Sequence, residues 1–175
     1  MEFRFAPMTL LSLDDLKTEV LCLPVFSDER PLRGAAGLVD WRLCGRLSDL
    51  LVRGDLTGSF GQALLMPPPE RRLAAERLLL LGAGVRAELD EARFRVLTKA
   101  LVERVLALRV RTAAIALPHA SLPWLDPVRA IDLLLEQTLS HSERLDELVL
   151  VDTHEAQRQM EPRIDRARRR AQADM

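Results

Sequence analysis

ERLLLLGAG, residues 76–84, carries four successive leucines, Leu78 to Leu81, that do not alternate with polar residues and stop abruptly at Gly82. A short apolar run of that kind belongs to a strand covered on both faces, as in a parallel sheet, and such a strand needs helices on either side. The flanking sequence supplies them. Upstream, TEVLCLPVF (18–26) is a β-branched and apolar run that breaks at Ser27-Asp28-Glu29-Arg30-Pro31, which reads as a central buried strand and its exit turn. From Gly37 onward Leu38, Trp41, Leu43, Leu47, Leu50 and Leu51 recur at helical steps, with Asp40, Arg42, Arg46 and Asp49 between them, predicting one amphipathic helix that ends near Gly54. Residues 58–66 read as a shorter strand, ended by Pro67-Pro68-Pro69, since proline cannot continue a hydrogen-bonded ladder.

Downstream, Asp90 offers an N-cap to a helix striped by Phe94, Leu97, Leu101, Val105 and Leu108. Thr112–Leu117 is a further buried strand, and Pro118–Leu125 is a loop. Asp126-Pro127 opens another helix, in which Val128, Ile131, Leu135 and Leu139 face the core. Glu147–Asp152 is the last strand. Strands that alternate with helices in this way specify a three-layer α/β/α sandwich around a mostly parallel sheet. The expected organisation is one domain over residues 1–152, followed by a charged helix or tail over 153–175, whose Arg163, Arg166, Arg168, Arg169 and Arg170 lie among acids.

The chain has 175 residues, a formal net charge of −1 and interspersed signs, so no overall field draws it to nucleic acid or to an anionic membrane. It shows neither a secretory leader nor an apolar span of membrane length. Cys22 and Cys44 lack metal-site or redox spacing and read as reduced core residues, which fits a cytoplasmic protein.

In order and spacing, residues 18–51, FGQALLMP (60–67) and ERLLLLGAG together resemble the N-terminal domain of the leucyl (cytosol) aminopeptidase family, over roughly residues 18–150. That resemblance implies a fold similar to macro domains, which bind ADP-ribose in a crevice at strand ends. It also implies that the peptidase chemistry and its metal ligands belong to the family's C-terminal domain, so no catalytic residue is carried onto this chain. Where macro domains use a glycine-rich phosphate loop, this chain has Ala120-Ser121-Leu122-Pro123, with more bulk and one N–H fewer. Pro24-Val25-Phe26 stands where an asparagine-rich strand end is usual.

Other motifs are partial. Gly82-Ala83-Gly84-Val85-Arg86-Ala87 fits a dinucleotide fingerprint, but the next strand ends Leu117-Pro118-His119, without the acid that would hold a ribose. A tight strand exit is the plainer reading. His154-Glu155 begins like a zinc-protease helix, yet Arg158 stands where the second histidine is required. Ser27 and Ser121 lack a nucleophile turn. His119 and His141 read as surface or cap histidines, with His119 of interest for its place after a central strand beside Ser121 and Trp124. Trp41 fits the core stripe or, if exposed, a partner surface.

The expectation is a non-catalytic binding or scaffold module acting through a protein partner or self-association, with no cofactor and no metal. The alternative is a small anionic ligand, ADP-ribose or nucleotide-like, in a crevice formed by Gly34, Gly82, Gly84, His119 and Ser121. An ADP-ribosyl hydrolase would also need a positioned acid or base there.

Overall fold

The computed structural model describes residues 1–69, 72–139 and 144–173, with side chains described through 169. Six strands, β1 (Glu2–Pro7), β2 (Val20–Phe26), β3 (Ala63–Met66), β4 (Leu78–Gly84), β5 (Thr112–Ala116) and β6 (Glu147–Asp152), form one sheet in the order β1-β6-β5-β2-β4-β3. All neighbours are parallel except β3, which runs antiparallel to β4.

The period-two geometry of each strand divides its apolar residues between two cores. Cys22, Leu79, Leu81, Ile115 and Leu150 point to one face; Leu21, Leu23, Leu78, Leu80, Ala114 and Val149 point to the other. The first face is covered by α4 (Glu91–Ala107), α5 (Pro127–Thr138) and α6 (His154–Ala173), and the second by α1 (Leu10–Asp15), α2 (Gly34–Arg42) and α3 (Arg46–Arg53). This is the three-layer α/β/α sandwich that the alternating elements predict.

Several elements differ from expectation for local reasons. β1 and α1 lie outside the predicted set: β1 alternates Glu2 and Arg4 with Phe3 and Phe5 at the start of the chain, and it forms by pairing with β6. The single helix expected up to Gly54 is two. Cys44 and Gly45 take positive φ (55° and 81°) and break it, while the Asp40 carboxylate accepts from Leu47 N at 2.7 Å and Ser48 N at 3.0 Å to cap the second helix. Cys44 is exposed instead of buried, and its sulfur accepts from Arg72 Nη1 at 2.9 Å. Cys22 is buried, and burial pushes its thiol up to about 12. β3 begins only at Ala63, because Gln62 Oε1 accepts from Thr57 N at 2.8 Å and Gly58 N at 3.1 Å and so closes residues 57–62 into a turn.

Asp126 caps α5 as expected, accepting from Arg129 N at 2.9 Å. Its core face is carried by Ala130, Ile131, Leu133, Leu134 and Leu135, whereas Leu139 is 36% exposed and Val128 only half-buried. In α6, Ala156, Met160, Ile164 and Ala167 are buried in the first core cluster, and Arg168 donates to the Phe3 carbonyl of β1. A tryptophan on an apolar stripe is usually buried, but Trp41 is 70% exposed at the end of α2.

Candidate functional site

The carboxyl ends of β2, β5 and β6 open into a pocket of about 260 Å³. Parallel strands leave such a crevice because the chain must turn away from each of them in a different direction. Pro24 and Phe26 enter it from β2, Ala116 and Leu117 from the end of β5, and Val151 and Asp152 from β6. Met8, Glu29 and Arg33 complete its walls together with Gly34, Ala35 and Ala36 at the start of α2 and the short 3₁₀ turn Pro118–Ser121.

Three of the five residues that the sequence grouped together meet here: Gly34, His119 and Ser121. Gly82 and Gly84 do not. They lie at the end of β4, covered by residues 58–60, where Gly84 N donates to Gly58 O at 2.8 Å and Gly82 N to Gln62 O at 2.7 Å. A Cβ on Gly82 would stand 1.9 Å from the Ser59 carbonyl oxygen. The conformation of Gly82 is not left-handed; close backbone approach demands the glycine, while Gly84 does take φ +77°. The glycine fingerprint is thus a packing device. Trp124 also lies apart from the pocket, its Nε1 donating to Leu89 O at 2.8 Å and its ring edge-on to Phe94.

His119 is not the surface histidine expected from its loop: it is 8% exposed. Its Nδ1 lies 3.5 Å from Asp152 Oδ2 and makes no hydrogen bond. An unpaired buried nitrogen of this kind costs about 1–3 kcal/mol. Burial holds the Asp152 carboxyl above the usual aspartate range, opposed in part by attraction to His119 and by the Thr153 N–H that its Oδ1 accepts at 2.8 Å. Ser121 Oγ donates to Glu29 Oε1 at 2.9 Å, and Glu29 is itself 6% exposed, with Arg86 Nη1 at 3.9 Å. The N-terminus of α2, which no side chain caps, lines the same pocket. Its first bond runs from Gly37 N to Arg33 O at 3.0 Å, so the N–H groups of Gly34, Ala35 and Ala36 precede the ladder.

Asp152 and Glu29 are not among the residues that the sequence singles out. An acid closing the otherwise apolar ELVLVD was a usable signal for Asp152, because strand ends of parallel sheets face ligands. Nothing local distinguishes Glu29 from a solvated turn acid. His154 is exposed and Arg158 pairs with Glu155 at 2.5 Å, so no zinc-protease arrangement forms. His141 lies outside the described residues. Among the described residues no three His, Cys, Asp or Glu side chains gather as metal ligands, and no helix is long and apolar enough to cross a membrane.

This sheet order between two helical layers, with a pocket at the ends of the central parallel strands, makes an α/β module whose fold is macrodomain-like. The chain belongs to the cytosol aminopeptidase family, whose N-terminal domain model matches residues 22–144. A cytosol aminopeptidase of Pseudomonas aeruginosa is 36% identical over 145 residues, covering 83% of this chain and 28% of that protein. The chain thus spans less than a third of the length of this relative, on the part that corresponds to the N-terminal domain. A tomato leucine aminopeptidase mutant shares the fold with a TM-score of 0.59 at 16% identity, over 91% of this chain and 35% of that one. The Trypanosoma brucei macrodomain in complex with ADP-ribose shares it with a TM-score of 0.70 at 13% identity, over 93% of this chain and 68% of that one.

Proposed function

We propose that this chain acts as a non-catalytic binding module whose strand-end pocket takes a small polar ligand. The observation that carries this reading is His119 Nδ1, buried in the pocket wall and lacking a hydrogen-bond partner. Buried polar atoms are overwhelmingly paired, so a ligand group is the natural complement. ADP-ribose, bound by the trypanosomal macrodomain, belongs among the candidates, but two features weigh against it here. A volume of about 260 Å³ lies below the roughly 300–1,000 Å³ of pockets that enclose drug-sized ligands. The buried carboxylates of Glu29 and Asp152 repel a diphosphate.

The test is a titration of the protein, with the His119 imidazole followed by NMR, against ADP-ribose, nucleotides, inorganic phosphate, carboxylates and amino acids. A saturable shift of the His119 signal with one of these supports the reading. A His119 signal that none of them moves overturns it.

A second reading is favoured by a separate observation. Trp41, Leu11 and Val52 are 70%, 74% and 87% exposed on the α1–α3 side of the sheet, which supports contact with a protein partner or a second copy. Solution mass measured across concentration for the unaltered protein and for Trp41→Ser checks self-association. A monomer throughout counts against it, whatever the pocket does.

A further inference from the structure

We infer that the pocket is built for a small zwitterion of the α-amino-acid class with an aliphatic side chain. The inference rests on the pocket reading above and adds the chemistry of the occupant. Its basis is that one small cavity carries complementary charge at two places. Along one part of its lining, the N–H groups of Gly34, Ala35 and Ala36 open a nine-residue helix that no side chain caps, with Arg33 beside them. Unpaired N–H groups and the positive end of the helix dipole favour a carboxylate there.

In the wall, His119 Nδ1 and Asp152 Oδ2 stand 3.5 Å apart without a hydrogen bond between them, and both side chains are more than nine-tenths buried. With the ring proton on Nε2, His119 Nδ1 and Asp152 Oδ2 are two neighbouring acceptors. An ammonium group has three N–H donors and no acceptor, so it can serve both atoms and neutralise the acid. Glu29 is less available for that role, since its Oε1 accepts from Ser121 and Arg86 lies close by.

Met8, Pro24, Phe26 and Val151 supply apolar wall in the same cavity. They suit an aliphatic side chain, and the volume suits a ligand much smaller than a dinucleotide. A simple anion answers only the helix, and a simple amine only the His119–Asp152 pair. A zwitterion answers both.

Isothermal titration calorimetry with L-valine, isovalerate and isobutylamine tests this on the unaltered chain. The two analogues each lack one charged group. L-valine is expected to bind about tenfold or more tightly than either, since removing one charge-assisted hydrogen bond from a buried site weakens binding by at least that factor. Asp152→Asn should weaken L-valine by about tenfold and leave isovalerate unchanged. His119→Gln, checked for folding by circular dichroism, should also weaken L-valine.

L-valine binding no tighter than isovalerate, or binding that Asp152→Asn leaves intact, overturns the inference. If isovalerate, phosphate or ADP-ribose moves the His119 signal and L-valine does not, the zwitterion is wrong and the pocket reading stands. If nothing in the wider panel moves it, both fall.

Discussion

The carboxyl end of β4 and those of β5 and β6 belong to one sheet, yet the first is closed and the second is open. Behind β4 the turn 57–62 folds back so closely that backbone bonds from Gly82 and Gly84 to Gln62 and Gly58 fill the space. Behind β5 and β6 the chain leaves in a 3₁₀ turn and in α6, and a pocket remains. Both ends carry glycine or polar residues suited to a ligand in a linear reading. The difference is what packs against them. A glycine pair at a strand end marks close approach of something, and here that something is the protein's own backbone.

The largest expected effect that sharpens this contrast is at the closed end. Gly82→Ala should lower stability by about 3 kcal/mol, the upper range for overpacking, because the added methyl meets the Ser59 carbonyl oxygen and not a movable side chain. Urea unfolding measures it, and a change within error would mean that the 57–62 turn does not seat on β4. The same substitution at the open end, Gly34→Ala, should cost about 1 kcal/mol, for its φ of +57° alone, since the nearest atom to its new Cβ is Met8 Sδ at 3.8 Å. A cost equal to that at Gly82 would erase the distinction between the ends.

Asp126→Ala should remove about 1 kcal/mol by uncapping α5 just after the pocket loop. Thermal unfolding checks it, and an unchanged midpoint would show that the cap contributes nothing.

The smallest signal is a pH dependence. Burial raises the Asp152 carboxyl above the ordinary 3.8, so above that pH the folded protein holds a proton that the unfolded chain has released. Stability from this group is therefore lost as pH rises from the ordinary value through the raised one. Asp152→Asn lacks that loss, so its stability relative to the unaltered protein should improve over the same rise. Unfolding midpoints of both proteins from acid to neutral pH test the sign; a variant that loses ground as pH rises would mean that pairing with His119 outweighs burial.

How much of the structure is legible in the sequence depends on the range of the interaction concerned. Leu78–Leu81, Val20–Phe26, the Asp90 and Asp126 caps and the stripe through Phe94 and Leu101 are local patterns, and they specify the strands, the helices and the layered class. The break at Cys44 and Gly45 is less legible, because the hydrophobic period continues across it while the Asp40 cap and the positive φ interrupt the backbone. β1 is hidden for the opposite reason: its alternation spans only Glu2 to Phe5 before Pro7, and β6 supplies its hydrogen bonds.

By itself the sequence determined a doubly covered, mostly parallel sheet and the glycines at several tight backbone turns, since side-chain period and turn chemistry act over a few residues. Tertiary structure alone decided which strand end stays open and which side chains meet there. His119 comes from the turn after β5 and Asp152 from the end of β6, while Ser121 and Glu29 are 92 positions apart in the chain. Contacts of that separation follow from strand order and register, and those are settled only when two cores pack on opposite faces of one sheet.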